Sequence, residues 1–105
     1  MIEEIRRKFI QAPAEFSEHA FNQRILRKIG GDEIAEAMAT AEIIESYPND
    51  KYGPSFLLMG MTRSGRPLHM QVSTPVRPRL KIITAYQPDP ALWIDFRYRR
   101  TTDTL

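Results

Sequence analysis

At Glu42 the apolar pattern of the chain changes period, from helical steps of three and four to strand-like alternation, and this switch restricts the fold more than any other feature. After it come short runs rich in β-branched and aromatic residues: Glu42 to Tyr47, Ser55 to Thr62, Leu68 to Thr74 and Leu80 to Tyr86. Between them lie a Pro48 to Pro54 loop, a tight Arg63-Ser64-Gly65-Arg66 connection and a proline-interrupted Pro75 to Arg79 loop. None of these connections holds the roughly a dozen residues that a parallel return needs, so the strands are mostly antiparallel. Gln87-Pro88-Asp89-Pro90 ends the fourth run. Ala91 to Arg100 fits two readings: Trp93 and Phe96 suit a helical turn, whereas Ile94, Phe96 and Tyr98 alternate.

Ahead of the switch, Ile2, Ile5 and Phe9 recur at helical spacing and predict a short amphipathic helix ending before Pro13. Ser17 is placed to N-cap a second helix, which Gly30-Gly31 stops, with Arg27 and Lys28 near its C-terminal carbonyls. Asp32 can cap a third, from Glu33 to about Thr40, with Ile34, Ala37 and Met38 as its apolar stripe. Helices first and strands second predict an α+β fold, with N-terminal helices packed on one face of a mainly antiparallel sheet of about four strands. A chain of 105 residues supports one hydrophobic core, so it reads as a single domain, 1–105, patterned from about 16 to 100. Thr101 to Leu105 reads as a frayed end.

There is no cysteine, which removes thiolate chemistry and disulfides and leaves His, Asp and Glu as the metal ligands. Two isolated histidines among scattered carboxylates do not make a metal site. No GxGxxG, Walker loop or HExxH occurs, so no cofactor is expected. No apolar stretch reaches the length of a membrane span, and Met1 to Phe9 carries Glu3, Glu4, Arg6, Arg7 and Lys8 instead of a leader's apolar run. The expected location is the cytoplasm.

Charge is unevenly spread. Residues 1–54 hold 7 basic and 10 acidic side chains, net −3, and residues 55–105 hold 8 basic and 3 acidic, net +5. A polyanion such as RNA would feel Arg63, Arg66, Arg77, Arg79, Lys81, Arg97, Arg99 and Arg100 as a positive field; the plainer reading is a solvated sheet rim with a basic tail.

Two histidines are the candidates for chemistry. On a helical wheel His19, Gln23 and Arg27 share one side and Phe21, Ile25 and Ile29 another, so His19 is either solvent-facing or part of a polar site. Alternation puts His69, Gln71 and Ser73 opposite Leu68, Met70 and Val72. Thr84 and Tyr86 share a face of the next strand, but spacing does not say which of them meets His69; the plain role for Tyr86 is a half-buried strand-end aromatic. Imidazole can take or give a proton near neutrality and arginine can steady charge on a phosphate, a combination suited to RNA cleavage through attack of the ribose 2′-hydroxyl.

Phe16-Ser17-Glu18-His19-Ala20, Ile43 to Pro48, Leu58-Met59-Gly60, Gly65-Arg66-Pro67-Leu68-His69, and Ile83-Thr84-Ala85-Tyr86-Gln87-Pro88-Asp89-Pro90 with Trp93 together resemble a small bacterial toxin-like domain family with the pattern FSxHA, GRPLH, ITAYxPDP and W. That family is compared with the RelE and MqsR mRNA interferases, and the similarity spans about residues 16–100. The resemblance implies helices packed on an antiparallel sheet, and ribonuclease activity restrained by a cognate antitoxin. Its matching positions here are His19, Arg27, Arg66, His69 and Tyr86. Relatives carry an arginine four residues after the first histidine where this chain has Gln23, with Arg24 displaced by one, which implies weaker activity if that arginine holds phosphate.

Three readings result. In the first, a metal-independent endoribonuclease, His19 and His69 share acid and base roles, Arg66 and Arg27 steady the phosphate, Tyr86 stacks on a base or assists proton transfer, and Thr84 and Arg97 contact substrate. In the second, the basic half binds nucleic acid or protein without catalysis. In the third, the chain dimerises through an exposed strand.

Overall fold

The computed structural model describes residues 1–51 and 53–101. Tyr52, in the Pro48 to Pro54 loop, and all but the first residue of the expected frayed end lie outside the described residues. The order is α1 (Ile2–Gln11), β1 (Glu15–Phe16), α2 (Glu18–Leu26), α3 (Gly31–Ala39), β2 (Glu42–Tyr47), β3 (Ser55–Met61), β4 (Pro67–Ser73), β5 (Lys81–Tyr86), β6 (Trp93–Ile94) and β7 (Tyr98–Arg99). The fold is α+β, with the helices against a mainly antiparallel sheet. Among the described residues no helix is long and apolar enough to cross a membrane.

The sheet runs β1-β5-β4-β3-β2. The four long strands pair antiparallel in sequence order, while β1 adds a fifth by lying parallel to β5, Glu15 opposite Lys81 and Phe16 opposite Ile82. A bulge between Gln71 and Val72 shifts the β4–β5 register, so His69 faces Tyr86, Gln71 faces Thr84 and Val72 faces Ile82. The residues Ala91 to Arg100, ambiguous by spacing, form a hairpin, with Trp93 opposite Arg99 and Ile94 opposite Tyr98.

Local rules explain most boundaries. Ser17 caps α2, its hydroxyl accepting from the Ala20 N–H at 3.0 Å. Two boundaries differ from expectation. The helix α2 stops not at Gly30-Gly31 but at Leu26, with Arg27 as C-cap and Lys28 beyond it in the left-handed region at φ 53°. The N-cap of α3 is Gly30 rather than Asp32, because Glu33 reaches back to accept from the Gly30 N–H at 3.0 Å.

Alternation divides the sheet into two faces. One carries Leu58, Leu68, Met70, Val72, Ile82 and Ala85, all buried against Ile5, Ala20, Ile34, Ala37 and Met38 from the helices. The opposite face carries Leu57, Met59 and His69, buried with Trp93 outside that main cluster. The C-terminal hairpin therefore covers part of the second face.

Helix α3 packs tightly on β3 at Gly60, where an added Cβ would stand 1.9 Å from the Ala37 carbonyl oxygen. Both neighbours are backbone, so neither can rotate away. Gly60→Ala is expected to cost about 1–3 kcal/mol or more, read as a lower urea midpoint; an unchanged midpoint would contradict this packing.

Candidate functional site

Helix α2 is anchored to the sheet edge by polar side chains. The Ser17 hydroxyl donates to the Ile83 carbonyl at 2.8 Å. Gln23 Oε1 accepts from the Thr84 hydroxyl at 2.7 Å and from the Ala85 N–H at 3.4 Å, and Arg27 Nη1 donates to the Ala85 carbonyl at 3.4 Å. These bonds occupy edge groups of β5 beyond the reach of the two-residue β1. Of the wheel's polar row, Gln23 and Arg27 reach the sheet edge, and of its apolar row Phe21 and Ile25 are 50% and 62% exposed while Ile29 is buried.

Arg66 works at the end of the same helix. Its Nη2 donates to the Arg27 carbonyl at 2.9 Å and its Nη1 to the Lys28 carbonyl at 3.0 Å, capping the α2 terminus. Nη1 also pairs with Glu33 at 3.0 Å, and Nε donates to Gln87 Oε1 at 2.9 Å. The Gly30 N–H, helped by Arg66, holds the Glu33 carboxyl below its ordinary range. All three guanidinium nitrogens are thereby engaged within the fold.

His69 is fully buried. Its Nε2 lies 2.6 Å from the Phe96 carbonyl, which can only accept, so Nε2 carries the proton. Nδ1 then accepts from the Tyr86 hydroxyl at 3.0 Å. The rings of Trp93 and Tyr86 meet the imidazole edge-on at 4.5 and 5.1 Å. Both central residues of the β6–β7 turn have positive φ, Asp95 at 56° and Phe96 at 59°, an unfavourable conformation for an aromatic residue. The His69 bond to the Phe96 carbonyl fixes that turn. Burial drives the His69 pKa below its ordinary value, against the opposing effects of the Phe96 carbonyl and Glu45, and burial raises that of Tyr86.

His19 occupies a different place. It is exposed and lines a cavity of ≈ 610 Å³ on the polar face of the sheet, with Ser17, Asp50, Gln71, Ser73, Arg77 and Lys81. The lining does not include His69, Tyr86 or Arg66. The structure thus brings His69 and Tyr86 together and leaves His19 in a separate cleft. Arg27 and Thr84 flank Gln23 at the β5 edge, and Arg97 pairs with Glu42 beside a small cavity shared with Ile43, Ile44 and Tyr98. A further cavity of ≈ 620 Å³ between α3 and the β3–β4 connection contains Asp32, Glu36 and Arg63 but no imidazole. Among the described residues no three His, Asp or Glu side chains are grouped to hold a metal ion.

Arg77 and Lys81 counted in the sequence only as part of the basic half. Alternation with the buried Ile82 was the available signal for Lys81, since it and Ile83 fall on the polar face. Nothing comparable marked Arg77, whose position depends on the course of the Pro75 to Arg79 loop. Arg77 pairs with Glu15 only at 3.9 Å, both side chains more than 40% exposed, a contact of little energetic value.

The His69 centre has a pH signature. The unfolded chain takes up a proton near the ordinary histidine value of about 6.5, before the folded chain does, so this contribution to stability is complete above that value and is lost as pH falls below it. The thermal midpoint should decline on acidification from about pH 7.5 to 5.5, and His69→Gln should flatten that decline. An equally steep decline in the variant would remove His69 as its source.

The family model described as Domain of unknown function (DUF4258) matches residues 16–87, from β1 to the end of β5. No curated protein matches the chain, and no solved structure does. The matched span contains α2, α3, the four long strands, His19 and His69, and ends before the hairpin that covers His69. The chain belongs to the DUF4258 family.

Proposed function

We propose that this protein is a metal-independent endoribonuclease of the toxin type, acting on RNA in the cytoplasm, with its reaction centre in the His19 cleft. The observation supporting this reading is the grouping of one exposed imidazole with two cations, Arg77 and Lys81, around a single cavity of ≈ 610 Å³. These side chains come from α2, the β4–β5 loop and β5.

In this reading His19 takes the proton from a ribose 2′-hydroxyl, and the 2′-oxygen attacks the adjacent phosphorus. Arg77 and Lys81 hold the charge that accumulates on the phosphorane. The phosphorus to 5′-oxygen bond breaks, and the departing oxygen takes a proton from the Lys81 ammonium. The products are a 2′,3′-cyclic phosphate and a 5′-hydroxyl end. His69, Tyr86 and Arg66 act at one remove, as positioning residues for the hairpin and for α2. A cognate protein that restrains the enzyme completes the toxin-type reading.

Labelled RNA incubated with purified protein in a chelating buffer tests the proposal. Cleavage is expected, falling roughly a hundredfold or more in His19→Ala and substantially in Lys81→Ala. Salt-dependent RNA binding with no cleavage would replace it with a binding module. Cleavage unaffected by His19→Ala would remove the cleft as the reaction centre.

A further inference from the structure

The His19 cleft adjoins a second cavity of ≈ 590 Å³ that contains Tyr47 and Arg99, and Asp50 and Gln71 line both. Arg77 and Lys81 stand in the first cavity, and in the second Arg99 is held by both Glu45 oxygens at 2.8 and 3.1 Å. The junction between them is of opposite character.

Asp50 Oδ2 accepts from the Ser55 hydroxyl at 2.7 Å and from Gln71 Nε2 at 3.2 Å. Gln71 Nε2 also donates to the Ser55 hydroxyl oxygen at 3.0 Å. The hydroxyl has one proton and the amide nitrogen two, so these three bonds use every donor of the triad. The amide orientation follows from the charge: turned over, its oxygen would face the Asp50 carboxylate. Asp50 Oδ1 and Gln71 Oε1 have no partner among the described residues. Among the described side-chain atoms of Asp50 and Gln71, those left for a ligand are acceptors.

A phosphate over this spot would meet a carboxylate and be repelled. A ligand edge with two adjacent N–H donors would be held. Among the four RNA bases, adenine and cytosine pair each amino donor with a neighbouring ring acceptor, and uracil places its one N–H between two carbonyls. Guanine alone presents two adjacent donors, N1–H and the 2-amino group, on its Watson–Crick edge, the edge that unpaired RNA leaves free.

We propose that Asp50 and Gln71 form a guanine-reading subsite beside the His19 cleft, so that the substrate is single-stranded RNA with a guanosine next to the cleaved phosphate. This rests on the reading of the cleft as an RNA site. Arg77 and Lys81 hold the adjoining phosphate, and the acceptor pair selects the base beside it.

Binding of short 2′-O-methyl oligonucleotides, which have no free 2′-hydroxyl to attack, tests it on the intact protein. Three oligouridine strands would differ at one central position, carrying guanine, hypoxanthine or adenine. Guanine should bind about tenfold or more tighter than adenine. Hypoxanthine, which keeps N1–H and lacks the 2-amino group, should fall between them. Asp50→Asn should bring guanine and adenine within about twofold of each other. Equal binding of all three strands, or a preference that survives Asp50→Asn, would overturn the subsite and leave the RNA reading standing. Failure of every strand to bind would overturn the RNA reading itself. The hypoxanthine comparison uses the native chain and is independent of how the variant folds.

Discussion

Helix α2 depends on hydrogen bonds more than on apolar burial. Only Ala20 of its nine residues is buried, so apolar area alone gives it little hold on the sheet. Ser17, Gln23 and Arg27 grip the β5 edge instead, and Arg66 binds the carbonyls at the helix end. Such bonds are directional, which fixes the rotation of α2 about its axis and with it the placement of His19. Without that edge His19 would be one more surface histidine.

The charge asymmetry along the chain has a structural meaning that the count alone conceals. Arg66, Arg77, Arg97 and Arg99 from the basic half pair with Glu33, Glu15, Glu42 and Glu45 from the acidic half. Much of the +5 and −3 thus becomes complementarity between distant segments: α3 with the β3–β4 connection, β1 with the β4–β5 loop, and β2 with the hairpin. Arg63, Arg79, Lys81 and Arg100 have no carboxylate partner among the described residues, and Lys81 is the one that lies in a cleft with an imidazole. A net-charge argument for a polyanion therefore narrows to a local one.

The polar face of the sheet serves two purposes along one strand. At His69 it is closed, the imidazole holding Phe96 and Tyr86 beneath Trp93, and Arg99 lies 4.7 Å over the Trp93 ring while pairing with Glu45. Two residues further, at Gln71, the same face opens to solvent. A strand of period two provides the polar side chains at both places, and the hairpin decides which of them can reach a ligand.

By itself the sequence determined the α+β class, the order of helices and strands, the Ser17 cap and the side of β4 on which His69 lies, because these rest on periodicity and local hydrogen bonding. It could not determine the register that sets His69 against Tyr86, since a bulge between Gln71 and Val72 moves the pairing, and bulges carry no reliable local signal. Nor could it resolve residues 91–100, where two spacings competed until the contact with His69 favoured a hairpin. The two histidines looked equivalent in the sequence, each polar and each near arginines. Tertiary packing separated them, burying one with both ring nitrogens bonded and leaving the other exposed in a cleft that Arg77 and Lys81 also line, because what surrounds a side chain comes from segments distant in the chain.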